Sequence, residues 1–283
     1  MTRILALVDG SAYSASVCHH SAWIAKKLGA AVDLLHLLPD HGAAGAKDFS
    51  GALTLGARSQ LLQELATLDA QRAKLAAAQG HAILDDAQAL IEADGAGPAT
   101  QKLRQGDLVE TIRSLEPDIR ALVIGKRGQG SAGAFEHLGS NLERILRSAT
   151  VPVFVASRAF QPIDKVLIAF DASASAMRAV DRMAASPVFA GLEAVLVHAG
   201  TDTPALRAAL EAARAKLAGG GIEASVQVVA GEPEVALERK IAAEGFGLLV
   251  MGAYGHSRIR SLIIGSTTTA MIRACKIPVL LYR

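Results

Sequence analysis

This chain repeats itself, and the repeat limits its possible folds more than any other feature. Ile4-Leu5-Ala6-Leu7-Val8-Asp9 returns as Val166-Leu167-Ile168-Ala169-Phe170-Asp171, an offset of 162 residues that also pairs Leu34-Leu35-His36 with Leu196-Val197-His198. Further on, Leu122-Val123-Ile124-Gly125 returns as Leu249-Val250-Met251-Gly252 at an offset of 127, and Val151-Pro152-Val153 as Ile277-Pro278-Val279 at 126. A duplicated 283-residue chain divides naturally into two domains of roughly 100–150 residues each. The boundaries read as 1–157 and 162–283, with Ser157-Arg158-Ala159-Phe160-Gln161-Pro162 as a junction too short to let the halves roam. The offset falls by about 35, so the first copy carries an insertion after its second strand.

Within each copy, short Val/Ile/Leu runs alternate with Ala-rich stretches of helical length. That alternation predicts βαβ units, hence a doubly wound parallel sheet of five strands with helices on both faces. In the second copy the strands are predicted at 164–170, 193–198, 223–229, 247–251 and 278–282. The insertion, 56–94, holds Leu61, Leu62, Leu65, Leu68 and Leu75 at near-helical spacing and reads as a lengthened helix that packs or forms an interface. The last strands, at Pro152-Val153-Phe154-Val155 and Pro278-Val279-Leu280-Leu281-Tyr282, are apolar edges that invite pairing.

Composition agrees with an α/β chain: 51% of residues are hydrophobic and only 4% aromatic, so the core is aliphatic. A net charge of +2 argues against a dedicated nucleic-acid binder, which concentrates basic residues on one face. No apolar run reaches the roughly 18–20 residues that span a bilayer, and Met1 to Asp9 reads as a first strand instead of a signal peptide. A cytoplasmic location is therefore expected. Cys18 and Cys275 match no metal spacing and read as small buried apolar groups in a reducing compartment.

Chemistry concentrates between Met251 and Met271. Gly252 and Gly255 follow an apolar strand and leave its end without side chains, so a ligand can approach the backbone. Gly265 and Ser266 then open the last helix, and Thr267 follows. A helix N-terminus offers unpaired N–H groups and partial positive charge, which suits phosphate. Ligands of open α/β sheets sit beyond the C-terminal strand ends, where Asp171 also falls. Ordinary capping and turn formation would use the same residue types singly; their combination on one edge points to a nucleotide.

Gly252-x2-Gly255-x9-Gly265-Ser266 resembles the ATP-binding signature of universal stress proteins, G-x2-G-x9-G-(S/T), and the likeness covers essentially the whole chain as a tandem pair. It implies strand order 3-2-1-4-5 in each copy, ATP (with Mg²⁺) or another adenine nucleotide as ligand, and a stress-related role. Carried over by motif, Asp171 and the backbone of Ala199 would contact adenine. Met251, Gly252 and Gly255 would line the ribose and phosphates, and Gly265, Ser266 and Thr267 would hold the phosphates. In the first copy the same positions are Asp9, Leu37, Gly125, Gly128, Gly139 and Ser140, but ten residues instead of nine separate Gly128 from Gly139. The extra residue either bulges out or spoils the cradle, which Lys126 and Arg127 can offset with positive charge. The resemblance also implies that the two copies pair through their last strands as an internal pseudo-dimer, with a further homodimer as an option.

Other features read less functionally. Gly128-Gln129-Gly130-Ser131-Ala132-Gly133 satisfies a dinucleotide fingerprint, but it follows a fourth strand, not a first, and is rejected. His36 and His198 recur at one repeat position, where a strand-end hydrogen bond is the expected role. His19 and His20, neighbours on a helix, point apart and cannot easily share a metal. His137, His256, Arg258 and Arg260 lie in the two phosphate-side loops and can reach a nucleotide or remain solvated. No Walker lysine, defensible catalytic triad or acid–base carboxylate pair is visible, so hydrolysis or autophosphorylation, if present, should be slow. The leading reading is a nucleotide-responsive stress protein. The alternatives are a slow ATPase or autophosphorylating enzyme, and a nucleotide-free scaffold that holds another small molecule.

Overall fold

A computed structural model describes residues 2–38, 55–128, 140–252 and 266–283. The first copy runs β1 (Arg3–Leu7), α1 (Ser14–Leu28), β2 (Ala31–Leu38), α2 (Leu55–Ala93), β3 (Ala99–Gln105), α3 (Leu108–Leu115), β4 (Ala121–Gly125), α4 (Ser140–Ser148) and β5 (Val153–Ala156). The second runs β6 (Lys165–Ala169), α5 (Ala174–Ala184), β7 (Glu193–Ala199), α6 (Pro204–Gly219), β8 (Ala224–Val229), α7 (Pro233–Glu244), β9 (Leu248–Gly252), α8 (Ser266–Ala274) and β10 (Val279–Tyr282). Each strand predicted for the second copy lies within one residue of the observed one at either end.

The ten strands form one sheet in the order β3-β2-β1-β4-β5-β10-β9-β6-β7-β8. Each copy therefore has the order 3-2-1-4-5, the second seen from its far edge. Pairing is parallel within each copy. At the centre β5 and β10 pair antiparallel, with Val155 opposite Val279 and Val153 opposite Leu281. The two apolar edges expected from the sequence thus cover each other. The outer edges are left to β3, mostly polar in Ala-Thr-Gln-Lys-Leu-Arg-Gln, and to β8, which mixes polar and apolar residues in Ala-Ser-Val-Gln-Val-Val.

Alternate residues of each strand feed opposite cores, as the two-residue period of a strand requires. Ile4, Ala6 and Leu34 join α1, α2, α5 and α6 on one face. Leu5, Leu35 and Leu122 join α3, α4, α7 and α8 on the other. Both cores run through the joint. Phe154 and Leu280 belong to the first, and Val155 and Val279 to the second.

Local chemistry sets the helix ends. Asp107 caps α3 by accepting from the N–H groups of Val109 and Glu110, Ser173 caps α5 and Thr203 caps α6. Gly29 closes α1 in the left-handed region at φ 58°. Across the joint each copy reaches a helix C-terminus of the other: Lys126 Nζ donates to the Cys275 carbonyl after α8. Arg283 Nη1 donates to the carbonyls of Arg147 and Ala149 at the end of α4, at 3.0 and 3.2 Å. Cations at these carbonyl ends are favoured by the helix dipole.

The insertion is realised as the 39-residue α2, against 16 residues for its counterpart α6. Among the side chains described, those that α2 buries in the core, Leu84, Ala87 and Ile91, lie in its later half. Gly80 lets it lie close on the sheet, because a Cβ there would stand 2.7 Å from Leu103 Cδ1 and 3.0 Å from His36 Cδ2. Upstream, Leu65, Leu68 and Leu75 are exposed, Leu75 to 70%. Of the described residues, none forms a helix long and apolar enough to cross a membrane.

Candidate functional site

Parallel strands place their C-terminal ends on one edge, and in the first copy the ends of β1, β2 and β4 border a cleft of about 500 Å³. It brings together Asp9, Leu37, Gly125 and Gly128 from segments far apart in sequence. Asn141, from the first turn of α4, closes the same cleft. Gly139 lies outside the described residues, and Ser140 is the first residue of α4.

Asp9 sits just past β1. Its Oδ1 accepts from the Ser11 N–H at 3.0 Å and from Ser14 Oγ at 3.2 Å, which fixes the turn into α1. Gly128 rests on its other oxygen: a Cβ at that position would stand 2.7 Å from Asp9 Oδ2. Gly125 lies under α1, where a Cβ would meet Tyr13 Cβ at 2.6 Å. Lys126 lines the cleft, but its ammonium caps the Cys275 carbonyl of the other copy, and burial pushes it down to about 8. Its charge is therefore partly committed to the joint instead of the cleft.

Among the lining residues that escaped the sequence reading are Tyr13, Asp107 and Arg144. The Arg144 guanidinium beside Asp107 holds that carboxyl below its ordinary range, and the pair forms one wall of the cleft. Arg144 stands one helical turn after Ser140, a register legible in the sequence. Its partner Asp107 came from a capping position with no such signal. The second copy has Ala270 where the first has Arg144.

In the second copy Asp171 is exposed past β6, its Oδ1 accepting from the Ser173 N–H at 2.9 Å. Ala199 ends β7 and Gly252 ends β9. The side chain of Met251 is 7% exposed and belongs to the core under α7 and α8, so only its backbone lies toward the strand end. Gly255 and Gly265 fall outside the described residues, while Ser266 and Thr267 open α8.

Gly252 also serves the packing. A Cβ there would stand 2.6 Å from the Ser175 carbonyl carbon and 2.8 Å from the Ala176 nitrogen, so the missing side chain makes room for the start of α5. Tyr13 and Ser175 are the same repeat position, and Gly125 and Gly252 are too. Both copies therefore use a strand-end glycine to let a helix pass.

The repeated histidines fulfil the structural role. His36 Nδ1 donates to the Val8 carbonyl at 2.8 Å, and His198 Nδ1 to the Phe170 carbonyl at 2.9 Å. His19 pairs with Asp94 at 2.7 Å while the fully buried His20 bonds the Ser16 carbonyl, so the two rings have different polar partners although both lie against Phe160. His137, His256, Arg258 and Arg260 lie outside the described residues. Both cysteines are buried and unpaired, and burial raises the Cys18 thiol to about 12. Among the described residues no group of three His, Cys, Asp or Glu side chains is placed to hold a metal.

The sequence model of the universal stress protein family matches residues 1–157 and 194–283. The chain belongs to the universal stress protein family. It is 34% identical over 287 residues to Universal stress protein Slr1230 of Synechocystis sp., covering all of both chains. Among solved structures, a universal stress protein from Archaeoglobus fulgidus has the same fold, with a TM-score of 0.71, 24% identity and 99% of this chain against 98% of that one. A putative universal stress protein from Pseudomonas aeruginosa gives a TM-score of 0.62 at 16% identity, over 100% of this chain and 93% of that one. Two family segments in one chain, joined through β5 and β10, make this universal stress protein an internal pseudo-dimer.

Proposed function

We propose that this universal stress protein binds an adenine nucleotide, ATP with Mg²⁺, beyond the C-terminal strand ends, chiefly in the second copy. Occupancy then regulates its association with a partner. The observation that supports the reading best is the convergence of Asp9, Leu37, Gly125 and Gly128 on one cleft beside the start of α4. Its volume of about 500 Å³ suits a nucleotide-sized ligand. The repeat gives the second copy an equivalent edge with Asp171, Ala199 and Gly252, and there the Gly255-x9-Gly265-Ser266 spacing is regular. In the first copy the extra loop residue, the commitment of Lys126 to Cys275 and the contact of Gly128 with Asp9 all favour a weaker site. Mg²⁺ would arrive on the phosphates, as it commonly does, with one or two carboxylates at most. For regulation, nucleotide must bind one state of the protein better than another.

Calorimetric titration with ATP and Mg²⁺ tests this through stoichiometry. One site per chain, abolished in folded Gly265→Asp and little changed in Gly128→Asp, is the expected result. Two sites would show that the first cradle also works. No heat at millimolar ATP would leave the scaffold reading in front.

A further inference from the structure

A second cavity, unconnected with the nucleotide edge, lies where the two copies meet. It sits on the face of α1 and α5 over the β5–β10 joint, and has a volume of about 70 Å³. Trp23, Leu28 and Phe154 come from the first copy, and Phe189, Leu248 and Leu280 from the second. Arg120 and Arg182, one from each copy, also line it, and no acidic side chain does. Neither guanidinium has an ion-pair partner among the described residues. Both act on one buried hydroxyl, that of Tyr282: burial holds this phenol above its ordinary range while Arg182 and Arg120 pull it down. The phenol therefore stays an O–H donor at neutral pH.

Two guanidiniums without an ion-pair partner among the described residues, a phenolic donor and the Ser186 hydroxyl at a largely apolar cavity match one ligand chemistry, an anion carrying an apolar tail. Guanidinium favours carboxylate through paired charge-assisted hydrogen bonds. An apolar cavity of ~150 Å³ accommodates benzene, so one of half that size suits a tail of about three carbons. We propose that this inter-copy cavity binds a short-chain aliphatic carboxylate, head on Arg120 and Arg182 and tail against Trp23 and Phe189. Because the walls come from both copies, such a ligand would also hold the joint together.

Trp23 is the sole tryptophan of the chain and so reports occupancy directly. The full-length protein is titrated with butanoate at constant ionic strength, followed by Trp23 fluorescence and by calorimetry. A saturable response is expected, with dissociation in the millimolar range or tighter for a ligand of so few atoms. Butan-1-ol and inorganic phosphate should each bind at least about tenfold more weakly, since each lacks one half of the recognition. The Arg120→Gln/Arg182→Gln double variant should lose binding by a similar factor. Both arginines are exposed, so the variant should keep the wild-type melting temperature. Silence in both measurements would overturn the proposal. So would equal binding of butan-1-ol or of phosphate, or undiminished binding in the folded double variant.

Discussion

His20 carries the largest consequence at the scale of a residue. It is fully buried between the rings of Phe154 and Phe160, its Nδ1 donating to the Ser16 carbonyl at 2.7 Å and its Nε2 without a partner among the described residues. Burial pushes the imidazole from 6.5 down to about 4, so it stays neutral in the fold where the unfolded chain would be protonated. Between those values the unfolded state binds more protons, so stability is fully present above about 6.5 and is lost as pH falls toward 4, by up to roughly 3 kcal/mol. Urea unfolding at about pH 7 and pH 4.5 should show this loss in the wild type and a clearly smaller one in His20→Leu. An unchanged acid sensitivity in His20→Leu would assign it to other groups.

The scale of the element is where α2 separates two functions that one helix pattern conceals. Leu84 is fully buried against α1 and the sheet, whereas Leu75 is 70% exposed on the projecting half. Leu84→Ala should cost about 2–5 kcal/mol, as truncation in a packed core does. Leu75→Ala should stay within about 0.5 kcal/mol in the same denaturant series, as surface changes do. Equal losses would mean that the projecting half is covered in solution. Both residues fit the helical spacing read from the sequence, but only the packing distinguishes them.

For the whole molecule, the β5–β10 joint turns two repeats into one sheet with two shared cores. Phe154 is 1% exposed in that joint and also borders the inter-copy cavity. Phe154→Ala should cost about 3–5 kcal/mol and lower one common transition in scanning calorimetry, because both halves pack on it. Two resolved transitions in the wild type would show that the copies unfold independently of the joint. The reciprocal contacts of Lys126 with Cys275 and of Arg283 with Arg147 and Ala149 act in the same direction.

What the sequence determined by itself was periodic and local. The alternation of aliphatic strands with helical stretches determined the α/β class, and the repeat offsets located the duplicated strands and the lengthened helix. The G-x2-G-x9-G-S spacing pointed to the family. These features are legible because each is a pattern of residue types along the chain, local in itself or repeated at a fixed offset. Tertiary structure decided what depends on contact between distant segments. It placed Ser175 and Ala176 in the space beside Gly252, gave the Lys126 ammonium to the other copy and sank Met251 into the core. It also set Arg144 on Asp107 and closed a cavity with Arg120 and Arg182 from opposite copies. No local pattern encodes such pairings, since a side chain's partner is chosen by the packing of sheet and helices, which forms only when the whole chain is folded.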